Sequence, residues 1–233
     1  TGPRRRFVDK TLEEFRRSGA ELPAEGKARL EEISRELAEY TAKFGQNLVD
    51  ATAEWELLIE DEAQLAGLPE SALAAARQSA ESKGQAGFRF TLQAPSLIPV
   101  LTYLDDASIR EQVYRAYNQR ASGGERDNPG VIHRILDLRV EQASLLGYGN
   151  FGDLVLADRM AQSANAALAF EQQLEAKARP AFERENADLL AFRRELEGAE
   201  APELRPWDIS YYAEKQRQKL YDFDADELRP FFP

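Results

Sequence analysis

The sequence predicts an all-α protein, mostly long antiparallel helices, with one small two-stranded β ribbon near residues 54–61 and 87–93. Three observations lead there. Apolar residues recur in steps of three and four over long stretches, as one stripe of a helix requires. Gly and Pro clusters such as "SGAELP" and "ASGGERDNPG" mark breaks between those stretches. Aromatic and branched runs of strand length occur at just two places.

Arg6 to Arg17, with Phe7, Leu12 and Phe15, stops at "SGAELP", a Gly stop with a Pro beyond it. From Ala24 to about Ala53, the residues Leu30, Ile33, Leu37, Tyr40, Phe44, Leu48 and Ala51 form one stripe that needs a partner, so an antiparallel helical pair is the economical expectation. "EWELLIED" (54–61) and "GFRFTLQ" (87–93) read as the ribbon. They flank an Ala-rich helix with Pro69 near its start and Gly84 past its end. After Pro95, Ser96 caps a short helix through Leu104. Asp105-Asp106 opens another, with Ile109, Val113, Tyr114 and Tyr117 on its inner face.

"ASGGERDNPG" then breaks the chain. Val131 to Leu146 is helical, and Gly147 and Gly149 supply the backbone freedom to end it. From Ser163 to about Glu197 the stripe is Leu168, Leu174, Ala178, Phe182, Leu189, Phe192 and Leu196, with a kink or break expected at Pro180. The tail offers two helix starts, Asp208 just inside the first and Asp224 or Asp226 in the second.

Composition excludes several chemistries. With no cysteine among 233 residues, disulfides, thiolate nucleophiles and iron–sulfur clusters are ruled out, which suits a reducing compartment. A formal charge of −11 opposes nucleic-acid binding, where cations displacing phosphate counterions supply the affinity. Arg4-Arg5-Arg6 reads as a solvated helix start. Apolar runs such as "LIPVL" fall far short of the ~20 residues that span a bilayer, and the expected location is the cytoplasm.

The candidate sites are thin. His133 is the only histidine, with Asp137 one turn on; two donors on one helix leave a zinc ion underbound. A Ser-His-Asp site would need His133 as its base, and no G-x-S-x-G elbow is present. Glu13-Glu14, Glu31-Glu32 and Asp105-Asp106 are adjacent acids, which on a helix point about 100° apart and mark solvated faces. Gly147, Gly149 and Gly152 match G-x-G-x-x-G formally, yet follow a helix where the dinucleotide fingerprint follows a strand. "PWDISYYAEKQRQKLYDFD" is the most conspicuous stretch. Its Trp207, Tyr211 and Tyr212, followed by Lys215, Arg217 and Lys219, suit either a helix anchored in the core by large rings or one wall of a peptide-binding cleft.

The ordered set "RRFVDKTLEEFRRSGAELP", "YTAKFGQNLVDAT", "LAGLPE", "FRFTLQAPSLIPVLTY", "IREQVYRAYNQRAS", "ILDLRVEQASLLGYGNF" and "PWDISYYAEKQRQKLYDFDADELRPFF" resembles the thimet oligopeptidase and oligopeptidase A family of zinc metallopeptidases along essentially the whole chain. That resemblance implies a mostly helical, two-lobed enzyme that hydrolyses short peptides in a deep narrow channel. In the family, an HExxH helix and a further glutamate hold zinc, and those elements lie C-terminal to the stretch represented here.

The resemblance therefore implies an internal fragment that is inactive alone. Residues 1–233 form one helical region of the non-catalytic lobe, open to subdivision into 1–122 and 129–233. No catalytic or metal-binding residue maps onto this sequence, and the substrate-binding residues are not assigned. Zinc belongs to the parent enzyme. The expected partners are short peptides, the missing catalytic lobe and, for the fragment by itself, a second copy. The competing expectation is a stand-alone helical binding or scaffold module. A metal-free hydrolase using carboxylates is a third.

Overall fold

The computed structural model describes residues 2–221. Among them the helices are α1 (Pro3–Arg17), α2 (Ala24–Glu54), α3 (Glu70–Glu81), α4 (Ala94–Tyr103), α5 (Ala107–Asn118), α6 (Pro129–Leu145), α7 (Phe151–Leu156), α8 (Ala164–Glu197) and α9 (Ile209–Tyr221). Strands β1 (Glu56–Ile59) and β2 (Phe88–Thr91) flank α3. The fold is thus mostly α with one small ribbon, as the periodicities predict. Helix α1 starts earlier than expected because Pro3 occupies its first turn, where a missing N–H costs nothing.

The chain divides into two compact units, the first formed by Thr1–Leu48 and Ser122–Lys177. Here α2 and α6 lie antiparallel, and their cross-links run in opposite directions along the two helices. Arg29 grips Glu141 through two bonds of 2.6 and 2.7 Å, Arg134 pairs with Glu36, and the buried Asn47 amide donates to Asn128 at 2.9 Å. The Asn128 amide donates in turn to the Phe44 carbonyl. Ile33 of α2 and Val131, Ile135 and Leu138 of α6 are buried. The turn after α1 needs glycine: Gly19 has φ +85°, and a Cβ there would sit 2.4 Å from the Leu30 side chain.

The second unit comprises Val49–Ala121 and Ala178–Pro233. Strands β1 and β2 pair antiparallel, Glu56 opposite Thr91 and Ile59 opposite Phe88. The inward residues of β2, Phe88 and Phe90, join Leu92, Leu97, Val100, Leu104, Ile109 and Val113 in one core, against which α3, α4 and α5 pack. Asp106 caps α5, its carboxylate accepting from the Ser108 and Ile109 amides. Ser96 does not cap α4. The N-cap position falls on Gln93, and the Ser96 hydroxyl accepts from the Thr91 amide instead, joining strand end to helix start.

Two further expectations need adjustment. Helix α8 runs unbroken through Pro180. The carbonyl that Pro180 leaves without a donor belongs to Ala176, on a turn where every residue from 168 to 180 is exposed, so water can satisfy it. Asp208 lies just before α9 rather than inside it. The helix start expected at Asp224 or Asp226 lies outside the described residues.

Candidate functional site

The richest constellation of polar side chains surrounds Asp208, in the second unit. Its local placement is set by a tight turn: the Asp208 amide donates to the Arg205 carbonyl, and the Asp208 carbonyl accepts from the Tyr212 amide to start α9. The carboxylate is thereby fixed between two other helices. One oxygen accepts from Arg110 of α5 at 2.8 Å; the other accepts from Arg193 of α8 at 3.1 Å and from the Arg205 amide at 3.0 Å.

Arg110 is almost wholly buried, its side chain 1% exposed. It survives there because its donors are used: besides Asp208 they reach the carbonyls of Leu104, Asp105 and Trp207 at 2.7, 2.9 and 3.2 Å. The first two of these end α4. Arg193 also bonds Glu197 at 3.0 Å. Both guanidinium groups lie over aromatic rings, Arg110 4.0 Å from the Tyr211 centroid and Arg193 4.9 Å from that of Tyr212.

The two tyrosines meet edge to face at 5.0 Å. The Tyr211 hydroxyl donates to Asp105 at 2.7 Å, and the Tyr212 hydroxyl donates to Glu197. Burial, followed by these acceptor carboxylates, pushes both phenols well above their ordinary range. Desolvation works against ionisation of Asp105. Donation from Tyr211 and Lys215 outweighs it and holds that carboxyl below the usual carboxylate range. Lys215 also stands 5.0 Å from the Tyr211 ring. Trp207 faces Tyr114 at 6.0 Å and Arg115 at 5.0 Å, half-buried at the margin.

Each acid here already holds a cation or hydroxyl, and both phenols are held neutral as donors. Such a cluster positions helices. Tyr211 and Tyr212 are thus core anchors, while Trp207, beside Arg115, keeps a partly exposed face and Tyr221 is 73% exposed.

The other candidates lie apart from this cluster. His133 and Asp137 are exposed on α6. Among the described residues no three His, Asp or Glu side chains gather into a group able to hold a metal ion, so these residues do not fit a zinc centre. Glu13 and Glu32 pair with Lys10 and Arg29 on exposed surfaces. Asp105 and Asp106 diverge, one to Tyr211 and Lys215 and the other to the α5 cap.

Of the three glycines in "GYGNFG", Gly147 takes a positive φ of 82° to end α6, while Gly149 does not. Gly152 sits where a Cβ would meet Ala164 at 2.9 Å, and Asp153 beside it accepts from the Ala164 amide at 2.8 Å. The spacing thus belongs to a helix stop and a close approach between α7 and the start of α8. A pocket of about 180 Å³ between α3, β2 and the start of α4 is lined by Ala72, Ser79, Arg89, Thr91 and Ser96. Arg89 there is bound to Glu56 at 2.6 Å and to Ser79 at 2.9 Å.

Sequence reasoning singled out Trp207, Tyr211 and Tyr212 and missed Arg110 and Arg193. A signal existed. Arg110 follows Ile109 and precedes Val113 by three, and Arg193 follows Leu189 by four, so both fall on buried stripes where a cation needs an acid.

Comparison with known proteins adds the family. The model of peptidase family M3 matches residues 100–233. The chain is 46% identical to oligopeptidase A of Haemophilus influenzae and 45% identical to oligopeptidase A of Escherichia coli, in each case over 98% of this chain and 34% of the relative. Identity to the dipeptidyl carboxypeptidase of Escherichia coli is 32%, over 97% of this chain and 33% of that protein. The chain spans about a third of the length of the curated relatives it matches.

Proposed function

Because the chain belongs to peptidase family M3, we propose that it is a helical, non-catalytic part of a zinc-dependent oligopeptidase that hydrolyses short peptides. Its residues build one wall of the substrate channel. The observation that carries this reading is the pairing of 46% identity over 98% of the chain with coverage of only 34% of the relative. Nearly everything here has a counterpart in an oligopeptidase, and most of the oligopeptidase lies elsewhere.

The zinc ligands and the general base belong to that remainder. The lone, exposed His133 and the saturated Asp208 cluster support this division, since neither offers a metal a donor set. The contribution of this part is positional. A rigid frame tied by Asp208, Arg110 and Arg193 holds α9 and the partly exposed Trp207, and such a wall restricts entry to extended chains and orients them. Residues 1–233 act as one region of the non-catalytic lobe, the catalytic lobe being their covalent partner. The working compartment is the cytoplasm, in keeping with a cysteine-free chain in which no described helix is long and apolar enough to cross a membrane.

Metal analysis tests the division of labour. After dialysis against trace zinc, a family-length polypeptide containing these residues should retain about one zinc per chain, and the present chain should retain none. Stoichiometric zinc on the present chain would sink the reading.

A further inference from the structure

The cavity between α3, β2 and the start of α4 lies wholly within the second unit. Ala72, Ala75 and Ala76 of α3 and Pro95 of α4 make the apolar part of its wall, and Arg89 and Ser79 supply polar groups. Ala75 and Pro95 are exposed, so the cavity is open to solvent at those residues. Its volume is about 180 Å³, and an apolar cavity of roughly 150 Å³ holds benzene. The space suits a small ring or a branched alkyl group and is too small for a nucleotide.

Arg89 sets the polar character of this wall. Its side chain is 12% exposed. Nε donates to Glu56 at 2.6 Å and Nη1 donates to the Ser79 hydroxyl at 2.9 Å, which fixes the plane of the guanidinium. A guanidinium carries five N–H donors, and among the described residues Nη2 makes no hydrogen bond. The hydroxyl of Ser96, also on the wall, already accepts from the Thr91 amide. Unused donors of a positioned arginine thus stand beside an apolar surface of ring size.

We propose that this cavity binds the carboxylate end of a small apolar acid, the chemistry shared by a free acylated amino acid and by the C-terminal residue of a short peptide. The carboxylate accepts from the free edge of Arg89, since a guanidinium matches a carboxylate in two parallel bonds. The alkyl or aryl group covers Ala72, Ala75, Ala76 and Pro95. Binding here involves no cleavage and does not depend on the peptidase reading.

Inorganic phosphate fits poorly. It leaves the alanine face in water, and its second charge approaches Glu56, which holds the other edge of the same guanidinium. A neutral apolar molecule fits poorly too, because it leaves Nη2 without an acceptor.

The test is a titration of the isotope-labelled present chain with N-acetyl-leucine, followed by nuclear magnetic resonance. The amide resonances of Ser79, Arg89 and Thr91 should shift saturably. N-acetyl-leucinamide, which lacks the charge, and acetate, which lacks the tail, should each bind at least about tenfold more weakly. Arg89→Lys keeps the charge and loses the fork, and should weaken binding about tenfold. Ala75→Leu narrows the exposed rim with a good helix former, leaves Arg89 intact, and should cost a similar factor at an unchanged melting temperature. Glycylglycylleucine tells the two sources apart: tighter binding than N-acetyl-leucine assigns the peptide end, and weaker binding assigns the free acid. Absence of saturable shifts at these residues overturns the proposal. So does equal binding of the amide, of acetate or of inorganic phosphate, or a titration that neither variant changes.

Discussion

Asp208 is the residue on which the second unit turns, since one buried carboxylate holds cations from α5 and α8 and also starts α9. Asp208→Ala leaves Arg110 and Arg193 without their shared acid, and removing one partner of a buried pair costs roughly 3–5 kcal/mol. Urea unfolding should show that loss, whereas Asp137→Ala on the exposed face of α6 should change stability by less than about 0.5 kcal/mol. An Asp208→Ala protein as stable as its parent would contradict the role assigned to this carboxylate.

The same cluster sets a pH window. Tyr211 and Tyr212 have folded-state values raised above the unfolded 10.0, so the stability they confer is present below that pH and declines as pH climbs past it. Asp105 and Asp106 are lowered from 3.8, so their contribution is present above that value and fades as pH falls below it. For Asp106 the leading cause is donation from the Ser108 hydroxyl. The melting temperature should therefore drop on both the acid and the alkaline flank. Ultraviolet absorbance should show phenolate from these two rings only on unfolding. Ionisation of every tyrosine in the folded protein near pH 10 would rule this out.

At the scale of elements, much was legible and the exceptions have physical causes. Steps of three and four gave α2 and α6, and the Asp106 cap and Gly19 stop are local signals that need no tertiary context. Ser96 was misassigned because its hydroxyl serves the Thr91 amide, a partner that exists only once β2 pairs with β1. Pro180 was expected to kink or break α8; the helix is not broken there, and the carbonyl left without a donor lies on an exposed turn that water can reach. Replacing it with Ala restores an N–H donor and a better helix former, so Pro180→Ala should raise stability, by up to about 3 kcal/mol if the ring is strained there. A fall in melting temperature would mean that α8 depends on the proline.

Gly152 makes the opposite case. A methyl group there meets Ala164 at 2.9 Å and the Asn150 side-chain oxygen at 3.1 Å, so Gly152→Ala should destabilise by about 1–3 kcal/mol through overpacking. An unchanged melting temperature would show that α7 and the start of α8 can separate freely.

Across the molecule, sequence alone reached the fold class and the family, because both rest on patterns spread over the whole chain. The Asp208 cluster was only half visible. Its aromatic members stand together in "WDISYY", while Arg110 and Arg193 lie far away along the chain and meet Asp208 only through folding. Charge and composition had already excluded cysteine chemistry and made nucleic-acid binding unfavourable. What they could not supply is the long-range partnering that gathers Asp208, Arg110 and Arg193.

Side-by-side hydrolysis of a quenched fluorescent short peptide, by the present chain and by a family-length polypeptide containing it, tests the central claim most directly. The account predicts cleavage by the longer polypeptide alone, abolished by a chelator and restored by zinc. Chelator-sensitive cleavage by residues 1–233 by themselves, or none by the longer polypeptide with zinc supplied, would contradict it.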